Sequence, residues 1–292
     1  ITALPLYHIY ALTVNCLVFF YHGGLNYLIT DPRDTKRFVK EIAGIQFSGI
    51  GGVNTLFKSL LADESFRRLD FSNLKYTSGG GAAIQTIVAK DWKSLTGMNI
   101  SEGYGLTEAS PVVCSNPFDV DEFSSCVGLP MPSTECKIVG DDGNQLGIDE
   151  PGELYVRGPQ VMQGYWQQPA ETAATLDDDG WLRTGDVGLM REDGYFKIVD
   201  RIKDLIIVSG FNVYPNEIED VVASHPAVID VAAIGIADEK TTESVKIVVV
   251  CDGQNIDADN LIAFCRERLT SYKIPRHVEF VDQLPKSNIG RI

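Results

Sequence analysis

Positive charge is scarce in this sequence, and lysine and arginine residues nowhere form a run. The chain has 25 Lys and Arg against 40 Asp and Glu, so its formal net charge at pH 7 is −15, with a pI near 4.6. DNA, RNA and anionic lipid surfaces are themselves negative, and proteins attract them through basic patches. The charge pattern therefore argues against nonspecific polyanion binding, and we expect no nucleic-acid partner.

Disulfide and zinc patterns are also missing. The six cysteines are spread along the chain, no CxxC pair occurs, and none of the four histidines lies at ligand spacing from a cysteine. Disulfide frameworks and zinc sites depend on such spacings. Reduced, buried thiols in a cytosolic protein are the interpretation that fits.

No apolar run is long enough to cross a bilayer. The most apolar stretch, ALTVNCLVFFY at residues 11–21, lacks the length of a membrane span and the basic flank of a signal peptide. We predict a core helix there and a cytoplasmic protein, with peripheral contact at the inner membrane left open.

The pattern of elements changes along the chain, which at 292 residues and 44% hydrophobic content can bury a large core. Residues 1–118 mix helical patterns with short apolar strands, which favours an α/β arrangement. Residues 119–200 show short alternating strands between Gly, Asp and Pro turns and predict a small β-barrel or a bent sheet. Residues 201–292 alternate strands and helices and predict a compact α+β module.

The stretch EGYGLTEAS brings an aromatic ring, an alcohol and a carboxylate close together. Tyr104 stands between Gly103 and Gly105, and Thr107 and Glu108 follow at once. A ring flanked by glycines can lie against a purine, a threonine can donate to phosphate oxygens, and a glutamate can hold Mg²⁺ through hard oxygen ligands. The alternative is a turn beside a core aromatic residue, so this stretch does not decide the function by itself.

A second cluster, TSGGGAA, has consecutive glycines that would let backbone approach a ligand closely. They are Gly79, Gly80 and Gly81, followed by Ala82. A tight turn between a strand and the next helix explains the same residues, so both interpretations stay open.

Two charged motifs complete the set. In RTGD, Asp186 could accept both hydroxyls of a ribose, although an Asx turn is the alternative. In DRIKD, Arg201 and Lys203 would share one face of an extended chain. A lysine that keeps an exposed strand edge soluble is the alternative for Lys203.

In this order the motifs resemble the adenylate-forming superfamily, which contains acyl-CoA synthetases, luciferases and peptide-synthetase adenylation domains. The series also includes LPLYH, GELYVRG, GFNVYPNEIE and LPKSNIG, and the resemblance covers essentially all of the chain. The stretch DGWLRTGDVGLMREDGYFKIVDRIKD, Asp179 to Asp204, is similar to the signature of bacterial long-chain fatty-acid CoA ligases. The resemblance implies that residues 1–200 are the later part of a large AMP-binding domain and that residues 201–292 are a small mobile domain.

The resemblance also assigns roles to the motif residues. Gly79 to Ala82 would form a wall of the acyl and adenine pockets, with Gly81 next to the substrate. Tyr104 would stack on adenine beside Gly105, and Ile198 would cover the other face of the base. His8 would lie near the carboxylate pocket, while a buried histidine with a backbone partner is the alternative.

The remaining roles concern charge and movement. Thr107 would contact phosphate and Glu108 would hold Mg²⁺. Asp186 and Arg201 would hold the ribose. The other positions implied by the resemblance are the hinge, Lys203, and the tunnel for the pantetheine arm of CoA, Gly210.

The implied reaction has two steps. A fatty carboxylate attacks the α-phosphate of ATP and gives an acyl-adenylate and pyrophosphate; the CoA thiol then attacks the acyl carbonyl, and AMP leaves. Family members carry a lysine after the last glycine of LPKSNIG, where this chain has Arg291. An arginine keeps the charge but presents a broad planar fork. Lys286 is the alternative cation in the same stretch.

Two features separate the chain from a complete enzyme of this kind. It opens on ITALPLYH without an initiator methionine, and it has no GxxxxGK[ST] loop. The phosphate loop that the family carries upstream of LPLYH is absent, so we expect a piece of a longer protein that is inactive by itself. A medium-chain or aryl ligase, or a nucleotide-binding module without turnover, are the competing interpretations.

Overall fold

The computed structural model describes residues 1–119, 122–253 and 256–287. These residues divide into two compact units. The first contains residues 1–184 and 188–198, and the second contains residues 185–187 and 199–287. Each unit has its own hydrophobic core, so each is described by itself.

A five-stranded sheet organises the start of the first unit. Its order is β1-β2-β3-β4-β5; β1 to β3 are parallel and the last two pairings are antiparallel. Parallel neighbours need a crossover, and helices α3 and α4 supply it. The strand bounds are β1 Gly49–Gly52, β2 Tyr76–Gly79, β3 Ser101–Gly105, β4 Val112–Ser115 and β5 Leu129–Pro130; the helices are α2 Thr35–Ile42, α3 Asn54–Ala62 and α4 Thr86–Thr96.

Aromatic side chains fill the core behind this sheet. Phe57 of α3 meets Trp92 of α4 edge to face, with ring centroids 4.8 Å apart. The Trp92 indole N–H donates to Thr77 Oγ1 at 3.2 Å, which satisfies the polar atom of a fully buried ring. Gly97 ends α4 in the left-handed conformation. The α/β prediction for residues 1–118 agrees with this arrangement.

The prediction of a core helix at residues 11–21 is wrong in its burial. The segment is helical, as a π-helix Ala11–Leu17 followed by α1 Val18–Tyr21, but in it only Ala11 and Asn15 are buried. Phe20 and Tyr21 are 74% and 85% exposed. A run of apolar residues does not determine which face of a helix is buried. Here Asn15 lies against Gly51 of β1, whereas Phe20 and Tyr21 are on the exposed side.

The predicted β-barrel is also wrong. The strands β6 Glu135–Val139, β7 Gly152–Arg157, β8 Leu182–Met190 and β9 Phe196–Arg201 form an open sheet in the order β6-β7-β8-β9. Across the residues described, no sheet closes on itself. Closure needs a pairing between the first and last strands, and alternating burial along each strand shows only that one face is covered. Helix α5, Pro169–Thr175, lies between β7 and β8 in the chain.

The second unit agrees with the predicted α+β module. Its sheet has the order β11-β10-β13-β12, with β14 added to β13 in parallel. Pro215 lies in the first turn of α6, where its missing amide hydrogen costs no helical hydrogen bond, and Asp257 caps α7 by accepting from the Asn260 amide at 2.8 Å. The bounds are β10 Ile206–Val208, β11 Phe211–Val213, α6 Pro215–Ala223, β12 Val228–Asp238, β13 Thr242–Cys251, α7 Ala258–Arg266 and β14 His277–Phe280.

No helix among residues 1–119, 122–253 and 256–287 has the length and apolar character that a membrane crossing requires.

Candidate functional site

The glycine cluster lies where β2 ends. A Cβ on Gly79 would lie 2.7 Å from Ile100 Cγ2 and 2.8 Å from Ile84 Cγ1, so this glycine is required by packing. Gly81 is exposed and has a φ of +81°, which L-residues rarely adopt. Gly80 is buried and Ala82 is half-buried. The cluster is therefore the end of β2 followed by a bend at Gly81 and Ala82, and Gly81 is its member that offers backbone to solvent.

Tyr10 and His8 stand beside this turn. A Cβ on Gly80 would lie 3.5 Å from the Tyr10 ring, and the Tyr10 hydroxyl is 2.9 Å from Ser78 Oγ. Burial raises the pKa of Tyr10, so the phenol stays protonated. His8 is half-buried, and its Nδ1 accepts from the Tyr10 amide at 3.3 Å. A neutral His8 then carries its proton on Nε2, and the backbone partner considered for this histidine is present.

The backbone around Tyr104 is fixed by close approach of two strands. Tyr104 pairs with Cys114, and the register shifts at Gly105. A Cβ on Gly105 would collide with the Pro111 carbonyl oxygen. Tyr104 is half-buried on β3, so part of its ring surface faces out of the core.

Thr107 and Glu108 follow on a short 3₁₀ turn, Thr107–Ala109, that is anchored by the fully buried Ala109. Thr107 is exposed and Glu108 is half-buried. Glu108 Oε1 accepts a hydrogen bond from the Tyr165 hydroxyl at 2.8 Å. Burial and this hydrogen bond to Glu108 both raise the pKa of Tyr165, so the phenol remains a donor.

Asp186 and Arg201, both predicted to hold a ribose, form an ion pair in the second unit. Arg201 Nε lies 3.3 Å from Asp186 Oδ1, and the Asp186 side chain is 10% exposed. The neighbouring Asp200 accepts from the amides of Arg201 and Asn216, each at 2.9 Å. Burial raises the pKa of Asp200.

Three other predicted residues lie at exposed or half-buried positions. Ile198 is half-buried on β9. Lys203 is exposed on the 3₁₀ turn Ile202–Asp204, so the expected extended chain with Arg201 and Lys203 on one face is wrong. Gly210 follows Ser209 in a two-residue hairpin turn where both φ angles are positive, which is the geometry of a type I′ turn. Arg291 lies outside the described residues.

Two contacts of the site have no signal in the sequence. Tyr165 lies 57 residues after Glu108, and its motif QGYWQQP has no acidic or glycine-rich pattern. Tyr10 follows LPLYH, but only its burial beside Ser78 distinguishes it from other aromatic residues.

A cavity of about 190 Å³ adjoins the same sheet near β1. Its lining combines aromatic side chains, Phe19 and Tyr76 among them, with polar residues such as Asn26 and Gln46. The Asn15 side chain also faces it, and the Asn15 amide nitrogen is buried without a hydrogen-bond partner. The mixed lining does not select an apolar ligand.

Mg²⁺ would rely on few protein ligands here. In the part of the chain that the structure describes, no three His, Cys, Asp or Glu side chains cluster at metal-binding distance. Mg²⁺ commonly uses one or two carboxylates together with substrate phosphates and water. A single half-buried carboxylate such as Glu108 fits a magnesium ion that arrives on a nucleotide.

Comparison with known sequences decides the family. The profile of the AMP-binding enzyme family matches residues 1–166, and that of the AMP-binding enzyme C-terminal domain matches residues 217–291. The chain belongs to the AMP-binding enzyme family. This membership confirms the resemblance drawn from the motifs.

One curated sequence and one solved structure show which AMP-binding enzymes the chain is similar to. A long-chain-fatty-acid–CoA ligase of Escherichia coli O157:H7 is 55% identical over all 292 residues, which span 52% of that protein. ATP-bound MatB of Rhodopseudomonas palustris has a TM-score of 0.88 at 32% identity, with 100% of this chain and 57% of that chain covered.

A third relative of this AMP-binding chain acts on an aromatic acid. The anthranilate CoA ligase AuaEII, solved with anthranoyl-AMP, has a TM-score of 0.90 at 27% identity, with 99% and 57% of the two chains covered. The chain thus spans about half the length of the curated relatives it matches.

Proposed function

We propose that the protein containing these residues activates a long-chain fatty acid with ATP and transfers the acyl group to coenzyme A. The carrying observation is that Tyr104, Thr107 and Glu108 lie on one strand-to-turn segment whose backbone is fixed at Gly105 and Ala109. This segment therefore carries an aromatic ring, an exposed hydroxyl and a hydrogen-bonded carboxylate within five residues. Family membership and the identity to long-chain ligases support the same reaction.

In the first step a carboxylate oxygen of the fatty acid attacks the α-phosphorus of ATP, and pyrophosphate leaves with the electron pair of the broken P–O bond. Tyr104 stacks on adenine with Ile198 on the other face, and Thr107 donates to a phosphate oxygen. Glu108 would hold Mg²⁺, and the ion would supply positive charge that neutralises the phosphates. Positioning and charge neutralisation carry most of the catalysis of such a step.

The ribose is held by the ion-paired residues of the second unit. A carboxylate offers about four lone-pair sites, so one that pairs with an arginine, as Asp186 does with Arg201 Nε, can accept more than one hydrogen bond. It can therefore accept from ribose hydroxyls while Arg201 stays paired. The Arg201 guanidinium keeps donors on its other nitrogens for the same sugar.

In the second step the CoA thiol attacks the acyl carbonyl, its proton passes to solvent or base, and AMP leaves with the electron pair of the acyl–oxygen bond. We assign Lys203 as the hinge between residues 1–200 and residues 201–292, because it is exposed on a short 3₁₀ turn that can change conformation at little cost in packing. Gly210, at an exposed turn, is assigned to the CoA path.

The 55% identity to a long-chain-fatty-acid–CoA ligase supports a fatty rather than an aryl substrate. A methylene chain gains free energy when it leaves water for an apolar pocket. His8 and Gly81 would face the carboxylate end. The similarity to an anthranilate ligase keeps an aryl acid as the second candidate.

A cytoplasmic site of action with peripheral contact at the inner membrane is part of the proposal, since fatty acids partition into membranes. Flotation of the full-length protein with vesicles tests this contact, and loss of the protein from the vesicle fraction would contradict it.

Pyrophosphate release by the full-length protein tests the function. Palmitate with ATP and Mg²⁺ should give pyrophosphate, and addition of CoA should give palmitoyl-CoA and AMP in equal amounts. Octanoate tests the alternative of a medium-chain ligase, and benzoate tests the alternative of an aryl ligase. Nucleotide binding without pyrophosphate release from any acid would contradict the proposal and favour a binding module.

A further inference from the structure

Glu108 is held at two points by one segment that lies far away in the sequence. The Met162 amide donates to the Glu108 carbonyl oxygen at 2.7 Å, and the Tyr165 hydroxyl donates to its Oε1 at 2.8 Å. Both come from residues 158–168, between β7 and α5, which we name the strap. The strap therefore fixes the backbone and the side chain of the same glutamate.

The strap is itself tied down near Tyr165. The Tyr165 amide donates to Thr172 Oγ1 at 2.9 Å, and that hydroxyl donates to the Gln168 carbonyl at 2.9 Å. Gly164 has a φ of +146°, and a Cβ there would lie 2.7 Å from Thr172 Cγ2. These contacts leave the tyrosine little freedom to move away from Glu108.

The other end of the strap is anchored to β4 and to Thr134, the residue before β6. Gln160 Nε2 donates to the Val112 carbonyl at 3.2 Å and to Thr134 Oγ1 at 2.7 Å. The strap is thus fixed before and after the position that contacts the glutamate. The hydrogen bonds to Glu108 therefore come from a segment that is fixed on both sides of Tyr165.

A glutamate carboxylate otherwise turns easily about its last bond, because that torsion has broad energy minima. A donor on Oε1 fixes this rotation and leaves Oε2 and the second lone pair of Oε1 for a cation. Groups that orient a metal ligand in this way commonly contribute 10-fold to 100-fold to metal affinity or activity.

We propose that Tyr165 is a positioning residue that orients Glu108 toward the magnesium ion of Mg²⁺–ATP. This inference rests on the proposed function. Tyr165 acts through Glu108 and takes no part in bond making.

The experiment measures metal binding separately from turnover. Mn²⁺ is titrated into the full-length protein with saturating ATP and followed by electron paramagnetic resonance, for the parent and for Tyr165→Phe. The variant lacks only the hydroxyl, and we expect the Mn²⁺ affinity to fall 10-fold to 100-fold. Tyr155→Phe is the matched control, because its ring packs near Lys137 and Arg183 instead of Glu108.

Two further readouts separate positioning from a general structural defect. ATP binding without metal should be unchanged in Tyr165→Phe, and thioester formation from preformed acyl-adenylate should proceed at the parental rate. Unchanged Mn²⁺ affinity in Tyr165→Phe, alongside a loss in Glu108→Gln, would overturn the role of Tyr165 alone. Absence of pyrophosphate release from the parent would instead contradict the proposed function.

Discussion

Lys286 Nζ lies 2.9 Å from Asp230 Oδ2, and this ion pair commits the lysine to a carboxylate whose side chain is only 10% exposed. The sequence leaves Lys286 as an alternative to Arg291 for the cation of the first step. A lysine that compensates a buried carboxylate would leave that charge unpaired if it moved to a substrate. The contact therefore favours a structural role for Lys286 and returns the catalytic role to Arg291.

The ion pair itself can be tested by a double-mutant cycle. Lys286→Met should lower the free energy of unfolding by about 1 to 3 kcal/mol, because it leaves the Asp230 carboxylate without its charged partner. In a protein that already carries Asp230→Asn, Lys286→Met should cost much less, because no buried charge is left unpaired. Urea unfolding of the four proteins gives the coupling energy, and additive effects would contradict the pairing.

Arg291 is predicted to act in adenylation only. In the full-length protein Arg291→Ala should slow adenylate formation strongly and spare thioester formation from preformed acyl-adenylate, because the charge is needed at the α-phosphate. Arg291→Lys should keep or raise the adenylation rate. Rapid-quench measurement of each half-reaction checks this, and parental adenylation by Arg291→Ala would show that the family role does not carry over.

Asp186→Ala should weaken ATP and AMP binding by about 1.5 to 3 kcal/mol, the range for hydrogen bonds to a charged group. Calorimetry with AMP measures the loss directly. Asp193→Ala is the matched control, since it removes the partner of Arg191 from an exposed Asp–Arg pair of 3.0 Å. Equal AMP affinity in the parent and Asp186→Ala would exclude the ribose contact.

Glu219 makes stability depend on pH in the second unit. Burial raises its pKa to about 7, although Oε1 accepts from the Ala233 amide at 2.9 Å, and the carboxylates of Asp200, Asp204 and Asp230 act in the same direction. Its folded pKa exceeds the unfolded value of about 4.3, so the folded state holds the proton more tightly. Its effect on the free energy of unfolding is therefore most favourable below about pH 4 and declines as pH rises toward 7.

Glu219→Gln should remove this dependence. Relative to the parent, the variant should gain about 2 to 3 kcal/mol in the free energy of unfolding between pH 5 and pH 8, from about 1.4 kcal/mol for each unit of pKa shift. Urea midpoints at several pH values, with the exposed Glu239→Gln as control, report the difference. A parallel pair of stability curves for parent and variant would refute the assignment.

Features set by neighbouring residues could be predicted from the sequence better than features that depend on contacts between distant residues. The α/β arrangement of the first sheet follows from patterns of neighbouring residues, and the start of α6 at Pro215 follows from a backbone rule of the same short range. The closed barrel was wrong because alternation along β7 or β8 reports a covered face and carries no information on which strands meet at the edges.

The candidate site shows the same division. Tyr104, Thr107 and Glu108 could be found because they are neighbours in sequence. Tyr165 could not, since it lies 57 residues from Glu108 in the sequence and only the folded chain brings the two together. The pairing of Asp186 with Arg201 was foreseen as a shared ligand, but their direct ion pair is a result of the folded geometry.

The close approach of Gly105 to Pro111 affects the interpretation of a mutational scan of this protein. Any side chain at Gly105 meets the Pro111 carbonyl oxygen, a backbone atom that cannot swing aside. Every substitution there should be lost from a selected library, together with substitutions at residues proposed to contact a ligand, such as Thr107. Sequence tolerance alone would then count Gly105 among the chemical residues, and only a comparison of protein abundance with activity would separate a steric requirement from a catalytic one.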